Sequence, residues 1–337
     1  MLNNSRKKGL SLVMFIVFMM SVGLLTGCNT GGKTQTVVVY TSVDQVYAEP
    51  VLKKFEAKTG IKVLPVFDVE AAKTTGLVNR LLAEKNRPQA DVFWNSEFMQ
   101  TLLLKEQGVF TTYQSPVHKD IPTQYLDKEG YWSGFGGRIR VLLVNTNLVK
   151  PEQYPTSVFD LLTSPGPEKM AVAHPLFGTT ATHAAALYAQ LGPQEGKAFF
   201  EKIKERKVQV VDGNSVVRDL VATGQIKFGL TDSDDADGAV QKGAPVAIII
   251  PDQKSIGTLF IPNTVGLIAN APHTENGKKF IDFLLSEEVE KELLASGAIQ
   301  FSVRNDGQNM KMMSVEFSKI YQQLPRVKEE LAQLFIK

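Results

Sequence analysis

The stretch Leu230–Val240 reads Leu-Thr-Asp-Ser-Asp-Asp-Ala-Asp-Gly-Ala-Val and places four carboxylates, Asp232, Asp234, Asp235 and Asp237, within six residues directly after the apolar run Ile226–Leu230. Like charges this close repel, and such a run stays ordered only when cations, backbone N–H groups or hydroxyls absorb the charge. The chemistry on offer is contact with a cation, an amine or hydroxyls; the structural alternative is a solvated turn with a helix-capping Asp. An EF-hand calcium loop is excluded by spacing: counted from Asp232 the fifth position is Ala236, and counted from Ser233 the twelfth is Ala244. The chain holds no Gly-x-Ser-x-Gly elbow, no Walker loop and no His-Glu-x-x-His. Asp91 and Glu97 could be drawn as an acid/base pair, but their surroundings suggest no reaction, so neither an enzyme nor a cofactor is expected. The four histidines, His118, His174, His183 and His273, are scattered, and His183 on an Ala-rich helix reads as an interior or groove histidine.

At the start of the chain Arg6, Lys7 and Lys8 precede an apolar run, Leu10 to Leu25, which ends in Leu25-Thr26-Gly27-Cys28. The pattern predicts a secretory signal over 1–27, too short and too early for a membrane span. The last four residues resemble a bacterial lipobox, which implies Cys28, the only cysteine, as a lipidated N-terminus. Removing 1–27 removes three positive charges and no negative ones, taking the formal charge from +2 to −1. No basic excess of the nucleic-acid-binding kind remains. A second cysteine is lacking, so an ordinary core must hold the fold. Residues 28–36, rich in Gly, Thr and Asn, read as a tether.

The elements that must position the acidic run follow from periodicity. Val37–Tyr40, Ile61–Val66 and Asp91–Trp94 are continuous apolar strands of the kind buried on both faces. Between them Val46–Lys58, stopped by Gly60, and Thr75–Glu84 show helical spacing. Repeated strand–helix–strand units predict a parallel sheet whose ligands sit at the carboxyl ends of its strands. Those ends carry Ser42 and Asp44, then the segment 68–75 with Lys73 and Thr74, then Asn95, Ser96 and Glu97. Each of these could be a helix cap; their convergence on one edge is the informative feature. The passage Tyr131–Gly137 reads as a crossover, followed by a strand Arg138–Val144. Farther on, Gly178-Thr179-Thr180 opens a helix as a cradle for phosphate or carboxylate, and Gly213-Asn214-Ser215 caps another. Ile256–Ile261 continues through Pro262-Asn263-Thr264 as the return crossing. The terminal amphipathic segments Lys278–Leu285, Glu287–Ala295 and Ser314–Phe335 are expected to pack on the first lobe.

The order Val38-Val39-Tyr40-Thr41-Ser42, Ala90-Asp91-Val92-Phe93-Trp94 and Pro262-Asn263-Thr264-Val265 resembles the extracellular solute-binding proteins of ABC importers, and more narrowly their ferric-iron-type branch. The resemblance implies an α/β fold of the two-lobed, type II periplasmic-binding-protein-like kind, each lobe a mainly parallel sheet flanked by helices, joined by two crossing strands. Residues 37–138 and 264–337 would form lobe 1 and 139–263 lobe 2. It also implies a permease and ATPase as partners, a monomer, and an exported protein anchored to the membrane through Cys28 on the extracytoplasmic side. Iron-binding members hold metal with neighbouring tyrosines after the strand that here runs Ile226–Leu230; this chain has Thr231-Asp232-Ser233-Asp234-Asp235 instead, so no metal ligands are assigned. Lys73, Thr179, Thr180, Ser215 and the helix N-termini favour an anionic group, while Asp232, Asp234 and Asp235 favour hydroxyls or an amine at its other end. With Ser42, Asp44, Thr74, Asn95 and Glu97 they make up the expected ligand site. A small phosphorylated or phosphonate compound satisfies both ends; ferric iron is the alternative solute, and a surface sensor without transport the alternative function.

Overall fold

The computed structural model describes residues 35–68, 75–304 and 310–336. The expected signal segment, Cys28, Lys73 and Thr74 lie outside the described residues. The first half of the architecture is β1 (Thr36–Thr41), α1 (Gln45–Thr59), β2 (Lys62–Phe67), α2 (Thr75–Glu84), β3 (Val92–Asn95), α3 (Met99–Glu106) and the short β4 (Phe110–Thr111). Strand β1 runs parallel to both β2 and β3, as the unbroken Val-Val-Val run requires of a strand covered on both faces. Helix α1 stops where Gly60 takes the left-handed conformation at φ 70°. It lays Val51, Leu52 and Phe55 on the sheet. Each of those side chains contributes about 1.5–3 kcal/mol on leaving water.

The chain then enters β5 (Ser133–Asn145), a strand of 13 residues and the long member of the fold. After it come α4 (Asp160–Thr163), β6 (Met170–Ala173), α5 (Gly178–Leu191), α6 (Pro193–Glu205), β7 (Gln209–Val211), α7 (Asn214–Ala222), β8 (Phe228–Asp232), α8 (Ser233–Gln241) and β9 (Val246–Ile249). Strand β10 (Phe260–Ile268) returns, followed by α9 (Thr274–Leu284), α10 (Glu287–Ser296) and α11 (Phe317–Phe335). The main strand order is β2-β1-β3-β10-β5-β8-β6-β7, with β4 on β10 and β9 on β5.

This order makes two lobes with a shared seam. Strand β5 pairs antiparallel with β10 through its first half, Ser133–Ile139, and with β8 through its second, Arg140–Val144. Each lobe is a mixed sheet, with three parallel strands inside and an antiparallel crossing strand beside them. The glycine-rich passage read as a connector is therefore the crossing strand itself. Glycine is required there by proximity: a Cβ on Gly137 would collide with the Ile261 carbonyl, and one on Gly136 with the Ile299 side chain. Pro262-Asn263-Thr264, expected within the return crossing, is strand, with a register shift between Pro262 and Asn263 that absorbs the proline.

The terminal helices divide differently from expectation. Helix α10 is capped by Ser286, whose hydroxyl accepts from Val289 N, and packs against β5 and α1. Helix α11 does not pack on the first lobe alone. Its Phe317 ring lies 4.3 Å from that of Phe98, next to α3, while Val327 and Leu331 enter the core beneath α5 and α6, and Tyr188 donates to Glu330 at 3.0 Å. An apolar stripe that is unpaired in sequence can choose either lobe, and this one fastens to both.

Candidate functional site

Side chains two apart on a strand share a face, so β5 presents Arg138 and Arg140 together. The β5–β8 register sets Arg140 opposite Asp232. Arg140 is fully buried, with Nη1 2.6 Å from Asp232 Oδ1. The same nitrogen donates to Thr179 Oγ1 at 3.1 Å and Asn214 Oδ1 at 3.0 Å, and Nη2 donates to Thr180 Oγ1 at 3.3 Å. The second carboxylate oxygen of Asp232 accepts from Thr179 Oγ1 at 2.6 Å and Asn214 Nδ2 at 3.1 Å. One buried ion pair thus stitches the starts of α5, α7 and α8 together. Burial pushes the Asp232 carboxyl up, but Arg140 and Arg138 outweigh it and hold the group below its ordinary range. Beside this network His183 is buried, and desolvation with the Arg140 charge pushes its imidazole down to about 3. It is the neutral interior histidine that its Ala-rich helix suggests.

Arg138 is nearer the solvent. Its Nη1 donates to Asp234 Oδ2 at 3.3 Å and its Nε lies 3.6 Å from Asp232 Oδ2. Asp235 pairs with Arg218 Nη1 at 3.2 Å. Burial first, then the Asp234 and Asp232 charges, push the Asp235 carboxyl up to about 7 against the pull of Arg218 and Arg138. Asp232, Asp234 and Asp235 each bring one oxygen within 4.8 Å of the others. The acidic run is therefore the first turn of α8, not a loose turn. Three of its carboxylates, those of Asp232, Asp234 and Asp235, are absorbed by three arginines and by the positive end of the helix.

These groups wall a cleft of about 1280 Å³ that takes residues from both lobes. Helices α5, α7 and α8 open onto it at Gly178, Asn214 and Asp234, and their N-cap residues Phe177, Gly213 and Asp232 make no side-chain cap hydrogen bond. First-turn N–H groups of this kind suit an anion. Of the residues expected at the site, Ser42, Asp44, Glu97, Thr179, Ser215, Asp232, Asp234 and Asp235 line the cleft. Glu97 spends both carboxylate oxygens on α3, accepting from Met99 N at 2.7 Å and Gln100 N at 2.9 Å. Asn95 is fully buried behind the lining, where it accepts from Ser42 Oγ at 2.6 Å and donates to Thr101 Oγ1 at 3.2 Å. Thr180 is also buried and addresses Arg140 and Asn214.

Arg138, Asn214 and Arg218 line the cleft with Arg140 buried behind them, and periodicity alone singles out none of the four. A usable signal was present: two arginines alternating inside an otherwise apolar strand cannot be buried without carboxylates opposite.

The chain is 25% identical over 308 residues to iron uptake protein A1 of Synechocystis sp., covering 84% of this chain and 82% of that one. It is 27% identical over 219 residues to a periplasmic protein of Salmonella typhimurium named for 2-aminoethylphosphonate binding, covering 64% and 63%. The ferric binding protein from Campylobacter jejuni superposes with a TM-score of 0.79 at 23% identity, over 89% of this chain and 99% of that one. The periplasmic binding protein AfuA from Actinobacillus pleuropneumoniae, with fructose-6-phosphate bound, gives 0.74 at 23% identity, over 89% and 98%. These superpositions carry the two-lobed periplasmic-binding-protein-like fold. Residues 87–321 match the family model described as bacterial extracellular solute-binding protein, and with that match this chain belongs to the bacterial extracellular solute-binding proteins.

Proposed function

We propose that this protein is the solute receptor of an ABC importer and that its solute is a small phosphorylated or phosphonate compound carrying hydroxyls or an amine at the other end. The observation that carries the reading is the two-ended polarity of the cleft. The starts of α5 and α7, which carry no side-chain caps, offer N–H groups to an anion. Asp234 and Asp235, in the first turn of α8, offer acceptors to an amine or hydroxyls. Arg138 Nε and Asp234 Oδ1 are buried without a hydrogen-bond partner among the described residues, and a bound solute would satisfy them. The Salmonella relative and the Actinobacillus structure are named for organic phosphonate and sugar phosphate.

A second reading, ferric iron, is favoured by the 4.8 Å convergence of the Asp232, Asp234 and Asp235 oxygens and by the iron-named relatives. Against it, each of those carboxylates already carries an arginine, which weakens the attraction for a bare cation. Calorimetry on protein stripped of co-purified solute separates the two. Binding of 2-aminoethylphosphonate or a sugar phosphate without added metal supports the first reading. Tight Fe(III) binding with a visible charge-transfer band, and no response to either organic probe, overturns it.

The placement we infer is extracytoplasmic, with a monomer tethered by lipid on Cys28, a permease and ATPase as partners, and no catalytic turnover of the solute. Leu25-Thr26-Gly27-Cys28 supports the anchor. Loss of labelled fatty acid on Cys28→Ser is the expected result; retained label overturns it.

A further inference from the structure

The cleft has one feature that charge does not explain. Phe177 stands on its wall with 63% of its surface exposed, immediately before the uncapped start of α5. Lone exposed apolar side chains are ordinary. This one is neither lone nor loose. Leu176, Met99 and Leu324 line the same cleft. The ring is packed on the His174 imidazole at 5.2 Å between centroids, and the turn beneath is closed by Phe177 N donating to the His174 carbonyl at 3.3 Å. His174 is anchored in turn by its N–H to the Val211 carbonyl at 2.8 Å. A held aromatic ring beside an anion cradle gives the cleft an apolar wall next to its charged floor.

Building on the reading above, we infer that Phe177 is a specificity-determining residue that covers the carbon skeleton of the solute, so that the cleft selects an organic phosphate or phosphonate over inorganic phosphate. The N–H groups of α5 and α7 would take the anionic group, which every such compound shares. The ring would take the C–H face, which inorganic phosphate lacks, and would leave water only when that face is present. Discrimination then comes from a contact that the smaller anion cannot make.

The test uses the full chain stripped of solute and three probes, 2-aminoethylphosphonate, fructose 6-phosphate and inorganic phosphate, with affinities by calorimetry and by competition. Burying a phenyl ring predicts that Phe177→Ala weakens the better organic probe about tenfold or more. Inorganic phosphate should be unchanged, and Phe177→Leu should recover most of the loss. The exposure of the ring means that both variants should fold, which thermal unfolding checks. Unchanged affinity for both organic probes overturns the inference while the proposed function stands. Equal weakening of all three probes also overturns it, because the ring would then serve lobe closure, for instance against Tyr47 on the opposite wall. Failure of the wild-type protein to bind either organic probe removes the proposed function and this inference together.

Discussion

Arg140 and Asp232 face one another across the β5–β8 ladder, 2.6 Å apart and both buried, and they hold the starts of three helices in register. A buried pair of this kind is weak evidence for added stability, because desolvation offsets most of the attraction. Its removal by halves is another matter. Arg140→Met should destabilise the protein by about 3–5 kcal/mol, because it leaves the Asp232 charge buried without its direct partner and with Arg138 3.6 Å away, and Arg140→Met with Asp232→Leu should recover a large part. Urea unfolding of the two single variants and the double variant checks this; simple additivity would refute the coupling.

The same pair sets a limit at low pH. Asp232 titrates below its ordinary value of 3.8 in the folded protein, so its contribution is present above that value and is lost as pH falls through the lower, folded one. His183 adds to acid sensitivity over a higher window. Its imidazole is held down to about 3 when folded, so the unfolded chain takes up a proton as pH falls below 6.5 while the folded protein does not. Stability should fall across that window, and His183→Asn, if it folds, should flatten the decline.

Asp235 acts in the opposite direction. Its carboxyl is pushed up to about 7 from 3.8, so the folded protein keeps a proton that the unfolded chain has released, and stability should fall as pH rises from about 4 to about 7. Asp235→Asn should remove that slope and stabilise the protein at pH 8 by roughly 1 kcal/mol, a figure discounted for the partial exposure of the site. A solute amine that pairs with Asp235 should draw out the proton on binding. Calorimetry at pH 6 in buffers of different ionisation enthalpy checks this.

Arg138 and Asp234, paired at 3.3 Å, should answer to different groups of the solute. Arg138→Ala is expected to weaken every phosphate or phosphonate probe by about 1.5–3 kcal/mol, the range for a hydrogen bond to a charged group. Asp234→Asn should weaken amine-bearing probes while sparing those without an amine. Equal effects of both variants on all probes would refute a two-ended site.

At the seam, Gly137→Ala should cost about 1–3 kcal/mol by forcing β5 away from the Ile261 carbonyl. Unfolding in denaturant measures it, and a shift in solute affinity beyond that expected from stability would show that the crossing strands set the angle between the lobes.

Much of this was readable in the chain. Alternating strand and helix patterns place β1, α1, β2, α2 and β3 within a residue or two, because burial on both faces of a parallel strand demands an unbroken apolar run such as Val37–Val39. The stop at Gly60 is local for the same reason: only its own φ decides it. The acidic run announced itself through the cost of crowding charge. What depended on tertiary structure was everything set by a distant partner. Tyr131–Gly137 looks like a connector because its glycines are read against solvent, yet from Ser133 it is a strand whose glycines are read against the backbone of β10. The apolar stripe of α11 fits either lobe until Phe98 and Tyr188 are in place. Asp232 and Arg140 lie 92 residues apart, and no local propensity joins them. The sequence by itself determined the element types and the chemistry available at the strand ends. Only the folded register decided which arginine each of Asp232, Asp234 and Asp235 meets, because long-range pairing depends on partners that local patterns cannot name.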